Sequence, residues 1–122
     1  SLYTEKKHTT ISKENFEIII EGMEQVVESP KGTAHNIFNK NITICGKTGT
    51  AQNPHGEDHS VFIAFAPKKN PKIAIAVYIE NGGWGSEWAA PISSLMIEKY
   101  LNLETNKILE NFILSGNLIT KK

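Results

Sequence analysis

At 122 residues the chain is long enough for one modest core and too short for two ordinary domains. Its 39% hydrophobic and 21% charged residues, with thirteen basic side chains balanced by thirteen acidic ones, are ordinary globular composition and contain nothing that asks for nucleic acid or a charged membrane surface. The single cysteine, Cys45, excludes an internal disulfide, and no apolar run approaches the ~18 residues of a membrane-spanning helix, so no signal peptide or anchor is expected within these residues. The first residue is Ser1 rather than Met, which fits an excised piece or a mature product.

Residues 1–10 are polar and irregular and read as a loose lead-in. Phe16, Ile19, Ile20, Met23, Val26 and Val27 then recur at helical spacing, with Ser12 as N-cap and Ser29-Pro30-Lys31-Gly32 as the stop, so an amphipathic helix of about four turns is expected. Residues 33–41 carry no clear period and read as a connection. Ile42-Thr43-Ile44-Cys45 runs without a break into Gly46-Lys47-Thr48-Gly49-Thr50-Ala51-Gln52, a first strand. The turn-rich segment Asn53 to Asp58 precedes an apolar run from Ser60 to Ala66, and Pro67-Lys68-Lys69-Asn70-Pro71 separates it from a third run, Lys72 to Ile79. Both runs read as buried strands, and short turns between three consecutive strands give an antiparallel meander. A second helix is expected from about Glu87, with Pro91 in its first turns and Ile92, Leu95, Met96 and Tyr100 facing inward. Asn106 to Leu114 reads as a short amphipathic helix through Ile108, Leu109, Phe112 and Ile113. The fold class is therefore α+β, a three-stranded antiparallel meander with flanking helices. Its parts are a lead-in at 1–10, the main body at 11–103 and a C-terminal tail at 104–122.

The run Gly46-Lys47-Thr48-Gly49-Thr50 has two incompatible readings. A phosphate-binding loop needs a first glycine at position 41, where Asn41 stands, and a coiled backbone where Ile42 to Cys45 favour an extended one. No helical period follows Thr48 either. On a strand, alternation puts Lys47 and Gly49 on one face and Thr48 and Thr50 on the other, so that a twisted edge strand offers an ammonium and two hydroxyls around one groove. Gly49, without a Cβ, lets a substrate backbone lie against the strand, and an unpaired edge leaves an N–H free for an oxyanion.

Lys47-Thr48-Gly49-Thr50 resembles the third active-site motif of the penicillin-binding proteins and serine β-lactamases. Its company strengthens the likeness: Gly32-Thr33-Ala34 upstream, Ala51-Gln52 directly after, then His59 to Pro67, then Ile79-Glu80-Asn81-Gly82-Gly83, then an amphipathic helix. In that order the series resembles the C-terminal part of the transpeptidase domain of class B, elongation-type penicillin-binding proteins, over roughly residues 9–101. The resemblance implies a piece of that fold. It also implies a reaction in which a serine of an S-x-x-K motif attacks the D-alanyl-D-alanine end of a peptidoglycan stem peptide and passes the acyl group to an amine, with β-lactams mimicking the donor. Lys47 would supply positive potential to the donor carboxylate and the catalytic hydroxyls, and Thr48 and Thr50 would hydrogen-bond that carboxylate. The Thr50 N–H would be half of the oxyanion hole, and Gly49 would lie under the substrate. No cofactor or metal is implied. The parent protein would act at the periplasmic face of the inner membrane, held by an anchor outside this chain.

The family's S-x-x-K and S-x-N motifs belong upstream of K-T-G, and neither is found there. Thr10-Ile11-Ser12-Lys13 imitates the first and reads as helix capping, while Ser115-Gly116-Asn117 has the S-x-N form but follows K-T-G and reads as chance. The chain is thus expected to be a C-terminal fragment of a D,D-transpeptidase, inactive alone. The alternative from another class is a non-catalytic peptide- or protein-binding module of the same fold. His55, Glu57, Asp58 and His59 read as a polar hairpin loop rather than a metal site, Cys45 as a buried thiol, and His35 as a solvent-exposed residue without a role. Trp84 and Trp88 either flank the groove or cap the second helix. The strand edge at 72–79, uncharged from Ile73 to Ile79, is expected to lie beside a strand supplied from upstream in an intact domain, and in isolation to pair with a second copy or be covered by a chain terminus.

Overall fold

A computed structural model of the chain describes residues 8–116 and Leu118; the first seven residues of the expected lead-in and Asn117 lie outside the described residues. Helix α1 spans Lys13–Glu28, and Ser12 caps it by accepting a hydrogen bond from the Asn15 N–H at 3.4 Å. The helix stops at Ser29, whose backbone turns extended ahead of Pro30. The expected apolar face meets a partner only toward its end. Val27 is buried and Met23 and Val26 are half-buried, whereas Phe16, Ile18 and Ile19 are 42%, 65% and 62% exposed.

The connection after α1 is more ordered than its lack of period suggests. A 3-10 turn at His35–Ile37 buries Ile37 and follows a reversal at Gly32. A Cβ at Gly32 would lie 2.3 Å from the Val26 carbonyl oxygen and 2.5 Å from that of Gln25, so only glycine lets the chain fold back this closely over the helix end.

Three strands follow, β1 (Cys45–Ala51), β2 (His59–Ala66) and β3 (Ile73–Ile79), forming one antiparallel sheet in the order β1-β2-β3. β1 starts later than the β-branched run predicted. Ile42 and Ile44 are buried but lie in the approach to the strand, where the Thr43 carbonyl accepts from the Lys68 N–H at 3.0 Å. The register pairs Lys47 with Ile63, Thr48 with Phe62 and Phe62 with Val77, so directly opposed residues define two faces. One carries Cys45, Lys47 and Ile63 and meets α1; the other carries Ser60, Phe62, Ala64 and Ala66 and is covered by α2, which spans Ala89–Tyr100.

Two sequence expectations need correction here. β3 is not a strand buried on both faces, because it alternates half-buried Ile73, Ile75, Val77 and Ile79 with exposed Ala74, Ala76 and Tyr78, and it has one hydrogen-bonded neighbour among the described residues. Helix α2 buries Ala89, Ala90, Pro91, Ser93, Ser94, Ile97 and Glu98, while Met96 and Tyr100, expected inside, are 51% and 60% exposed. The sheet-facing stripe is made of small residues that let the helix axis approach the strands. A search for large apolar side chains finds the flank instead. The serines in that stripe are buried, Ser93 Oγ donating to the Ala89 carbonyl at 2.7 Å.

Glu98 is 1% exposed and ties the C-terminal segment down. Its carboxylate accepts from Asn39 Nδ2 and from the Asn106 N–H, each at 2.8 Å. Asn106 in turn caps α3 (Lys107–Ser115), accepting from the N–H groups of Ile108 and Leu109. This is the short helix expected at 106–114. Leu109 packs on the core and Phe112 stacks on Trp88 with ring centroids 5.0 Å apart, but Ile108 stays 81% exposed.

Candidate active-site strand

Residues 45–51 are extended and are followed by a polar loop and then β2, which excludes the phosphate-loop reading, since no helix starts after Thr48. β1 is an outer strand of the sheet, paired only with β2 among the described residues. Its far edge is therefore the open ladder that an incoming extended chain could use.

The expected site residues all lie on this strand. Lys47 and Thr50 are exposed; Thr48 and Gly49 are half-buried. Lys47 projects on the α1 side, where it borders an apolar cleft of 480 Å³ lined by Ile18, Ile19, Gly22, Met23, Val26 and Ile63, and its ammonium reaches back to donate to the Thr48 carbonyl at 2.7 Å. Thr48 and Thr50, by alternation, lie on the opposite face. The ammonium is thus brought to the strand's backbone at Thr48. The hydroxyls stand across the sheet from its stem.

Gly49 is less open than its lack of a Cβ suggests. A Cβ there would lie 3.3 Å from Val61 Cβ, and the turn before α2 packs onto its backbone, where a Cβ on Gly85 would come within 2.6 Å of the Gly49 oxygen and 3.0 Å of its nitrogen. Gly85 is thus required to be glycine. That turn is fixed further by Ser60, whose Oγ donates to the Trp84 carbonyl at 2.9 Å and accepts from the Ala89 N–H at 3.1 Å.

One contact was not read from the sequence. Thr33 Oγ1 lies 3.0 Å from Thr48 Oγ1, so the Gly32-Thr33-Ala34 loop, quoted above only as part of a series, touches the candidate strand. The signal for it was Gly32, which implies a tight reversal, yet nothing local says where the next hydroxyl will land. A cleft of 560 Å³ opens beside Thr33, walled by Asn36, Ser86, Glu87, Pro91, Ile108 and Phe112.

The remaining candidates have settled positions. His35 is half-buried rather than solvent-exposed without a role: Nδ1 donates to the Val27 carbonyl at 2.9 Å and the ring stacks on Phe38. Trp84 is 70% exposed, while Trp88 braces α3. In the β1–β2 loop, Asp58 accepts from the Asn53 N–H at 3.0 Å, and His59 Nδ1 accepts from the Asn81 N–H at 3.0 Å. No three potential metal ligands gather among the described residues. Cys45 is fully buried, and burial first, with Glu24 adding, pushes its thiol up to about 11. Lys68, which donates to Glu24 at 2.6 Å, is held above its usual range by that bond. Among the described residues no helix is long and apolar enough to cross a membrane.

An α+β unit with a K-T-G-T strand at the sheet edge defines a class that comparison with known proteins makes explicit. The family described as the penicillin binding protein transpeptidase domain matches residues 3–98, and the chain belongs to that family. It is 38% identical over 97 residues to the peptidoglycan D,D-transpeptidase MrdA of Haemophilus influenzae, covering 66% of this chain and 15% of that protein. It is also 43% identical over 74 residues to the peptidoglycan D,D-transpeptidase PbpA of Mycobacterium tuberculosis, covering 52% and 15%. The fold is similar to that of Pseudomonas aeruginosa PBP2, with a TM-score of 0.72 and 38% identity over 79% of this chain and 21% of that one. It is likewise similar to penicillin-binding protein A of M. tuberculosis, solved as an imipenem acyl-enzyme complex, with a TM-score of 0.64 and 34% identity over 78% and 21%. The chain spans about 15% of the length of these two curated relatives.

Proposed function

We propose that this chain is the C-terminal part of a peptidoglycan D,D-transpeptidase domain and supplies the carboxylate-binding strand of its active site. The observation that carries the reading is the outer position of β1, with Lys47 and Thr50 exposed and Thr48 beside them, in a chain of this family. In this role Lys47 provides the positive potential, and Thr48 and Thr50 bind the carboxylate of a stem peptide or of a β-lactam. The Thr50 N–H stabilises the oxyanion over Gly49. A charge-assisted hydrogen bond to a carboxylate is the stronger kind, and one missing oxyanion donor costs roughly 3 kcal/mol. That a relative has been captured as an imipenem acyl-enzyme supports the β-lactam part of the reading.

The nucleophile is supplied from outside these residues, because no S-x-x-K motif stands upstream of Lys47 and Ser12 serves as the cap of α1. The parent protein works on the cell wall, on the periplasmic side of the inner membrane. Taken alone, the chain binds without chemistry and self-associates through the open side of β3 at residues 72–79, where an intact domain continues its sheet. Labelling with a fluorescent penicillin tests the reading: the complete polypeptide gives a covalent band and the isolated chain gives none. A band on the isolated chain that disappears on Ser12→Ala would overturn it.

A further inference from the structure

We infer that Thr33 is a positioning residue that sets the direction of the Thr48 hydroxyl toward a bound carboxylate; the inference rests on the transpeptidase reading above. The two hydroxyl oxygens are 3.0 Å apart, and either can donate. Each hydroxyl has one proton, so the pair has two states. When Thr48 donates to Thr33, it presents only lone pairs to an anion. When Thr33 donates, the Thr48 proton is free for the ligand, and the chain Thr33 to Thr48 to carboxylate runs in one direction and polarises along its length. An arriving carboxylate selects the second state. Thr33 holds the Thr48 oxygen in place while it does so.

The loop that carries Thr33 is fixed on both sides. Gly32 lies against the Val26 and Gln25 carbonyls, the Ala34 N–H donates to the Val26 carbonyl at 2.9 Å, and the His35 N–H donates to the Gly32 carbonyl at 3.1 Å. His35 Nδ1 adds its bond to Val27 at 2.9 Å. Thr33 is therefore positioned by α1 rather than by the strand it touches. The bond itself is solvent-exposed and joins two neutral groups, an arrangement that contributes little to stability. Its consequence is directional.

The test compares acylation of the complete polypeptide by a penicillin with a free carboxylate and by its methyl ester, in the wild type and in Thr33→Val and Thr33→Ser. Thr33→Val should lower the rate constant for the free acid about tenfold and leave that for the ester unchanged, so the preference for the acid falls by the same factor. Thr33→Ser should restore it. Thr33→Ala, which removes the hydroxyl without adding bulk, must show the same lost preference. Equal losses on both compounds, or an unchanged preference in both the valine and the alanine variants, would overturn the role given to Thr33 while leaving the transpeptidase reading intact. A wild type that neither compound acylates would overturn that reading and this inference with it.

Discussion

Thr33 Oγ1 and Thr48 Oγ1 stand 3.0 Å apart, joining the loop after α1 to the outer strand of the sheet. The contact depends on the backbone reversal at Gly32, where a Cβ would press within 2.3 Å of a carbonyl oxygen. Gly32→Ala should therefore destabilise the chain by about 1–3 kcal/mol in urea unfolding, the range for overpacking a tight site. Gly22→Ala is the control. Gly22 lies within α1 with nothing within 4 Å of its added Cβ, so that change should stabilise by roughly 0.5–1 kcal/mol through helix propensity.

Glu98 holds two separate segments through one buried carboxylate. Glu98→Ala leaves Asn39 Nδ2 and the Asn106 N–H without their acceptor and should cost about 3 kcal/mol. Glu98→Gln keeps one acceptor oxygen and should cost about half as much. Amide exchange reports the local part: protection at Ile108 and Leu109, whose N–H groups bond to Asn106, should fall more than protection along β2. Uniform loss across the chain would mean that α3 is not separately held by this contact.

Cys45 makes stability depend on pH in the alkaline range. Its thiol titrates at about 11 when folded against a reference value of 9.0, so the folded state keeps a proton that the unfolded chain releases. Stability from this group is complete below pH 9 and is lost as the pH rises toward 11. Lys68 acts in the same direction, since its raised value gives stability that is present below the ordinary lysine range and lost above the folded one. Cys45→Ala should flatten the fall in unfolding midpoint between pH 9 and 11. At pH 8 the native thiol should react with a disulfide reagent only as fast as the chain opens.

Among the described residues β3 pairs with β2 alone, and the self-association proposed for the isolated chain would use its other edge. Ala74 and Ala76 are exposed, and lysines there should discourage pairing of that edge. Light scattering should show the wild-type chain gaining mass with concentration and the Ala74→Lys/Ala76→Lys variant remaining monomeric. Equal masses for the two would place the contact elsewhere, with the apolar cleft between α1 and Ile63 the next surface to test.

What could be read from the sequence follows from how local each signal is. Ser12 and Pro30 bracket α1, and the turns at 53–58 and 67–71 separate the strands, because capping and turn chemistry act within a few residues. Antiparallel order followed from those short turns. The faces were harder to read. Ala90, Ser93 and Ser94 lie inside α2 while Met96 and Tyr100 lie outside, since close helix-to-sheet packing selects small residues that carry no hydrophobic signal. On α1, Phe16 and Ile19 remain exposed although they satisfy the helical period, because the helix packs on β1 only toward its C-terminal end, around Val27. The placement of Thr33 on Thr48 is a long-range consequence of a backbone reversal, which no periodicity encodes.

The measurement that bears most directly on the central claim is covalent labelling of the complete polypeptide by fluorescent penicillin, with β1 altered one side chain at a time. Lys47→Ala and Thr50→Val should each reduce the acylation rate constant by about 10²-fold, the size of a lost charge-assisted contact to the carboxylate, and Lys69→Ala, on the turn between β2 and β3, should leave it unchanged. Wild-type labelling that is unchanged by both β1 variants would contradict the assignment of this strand to the carboxylate-binding site.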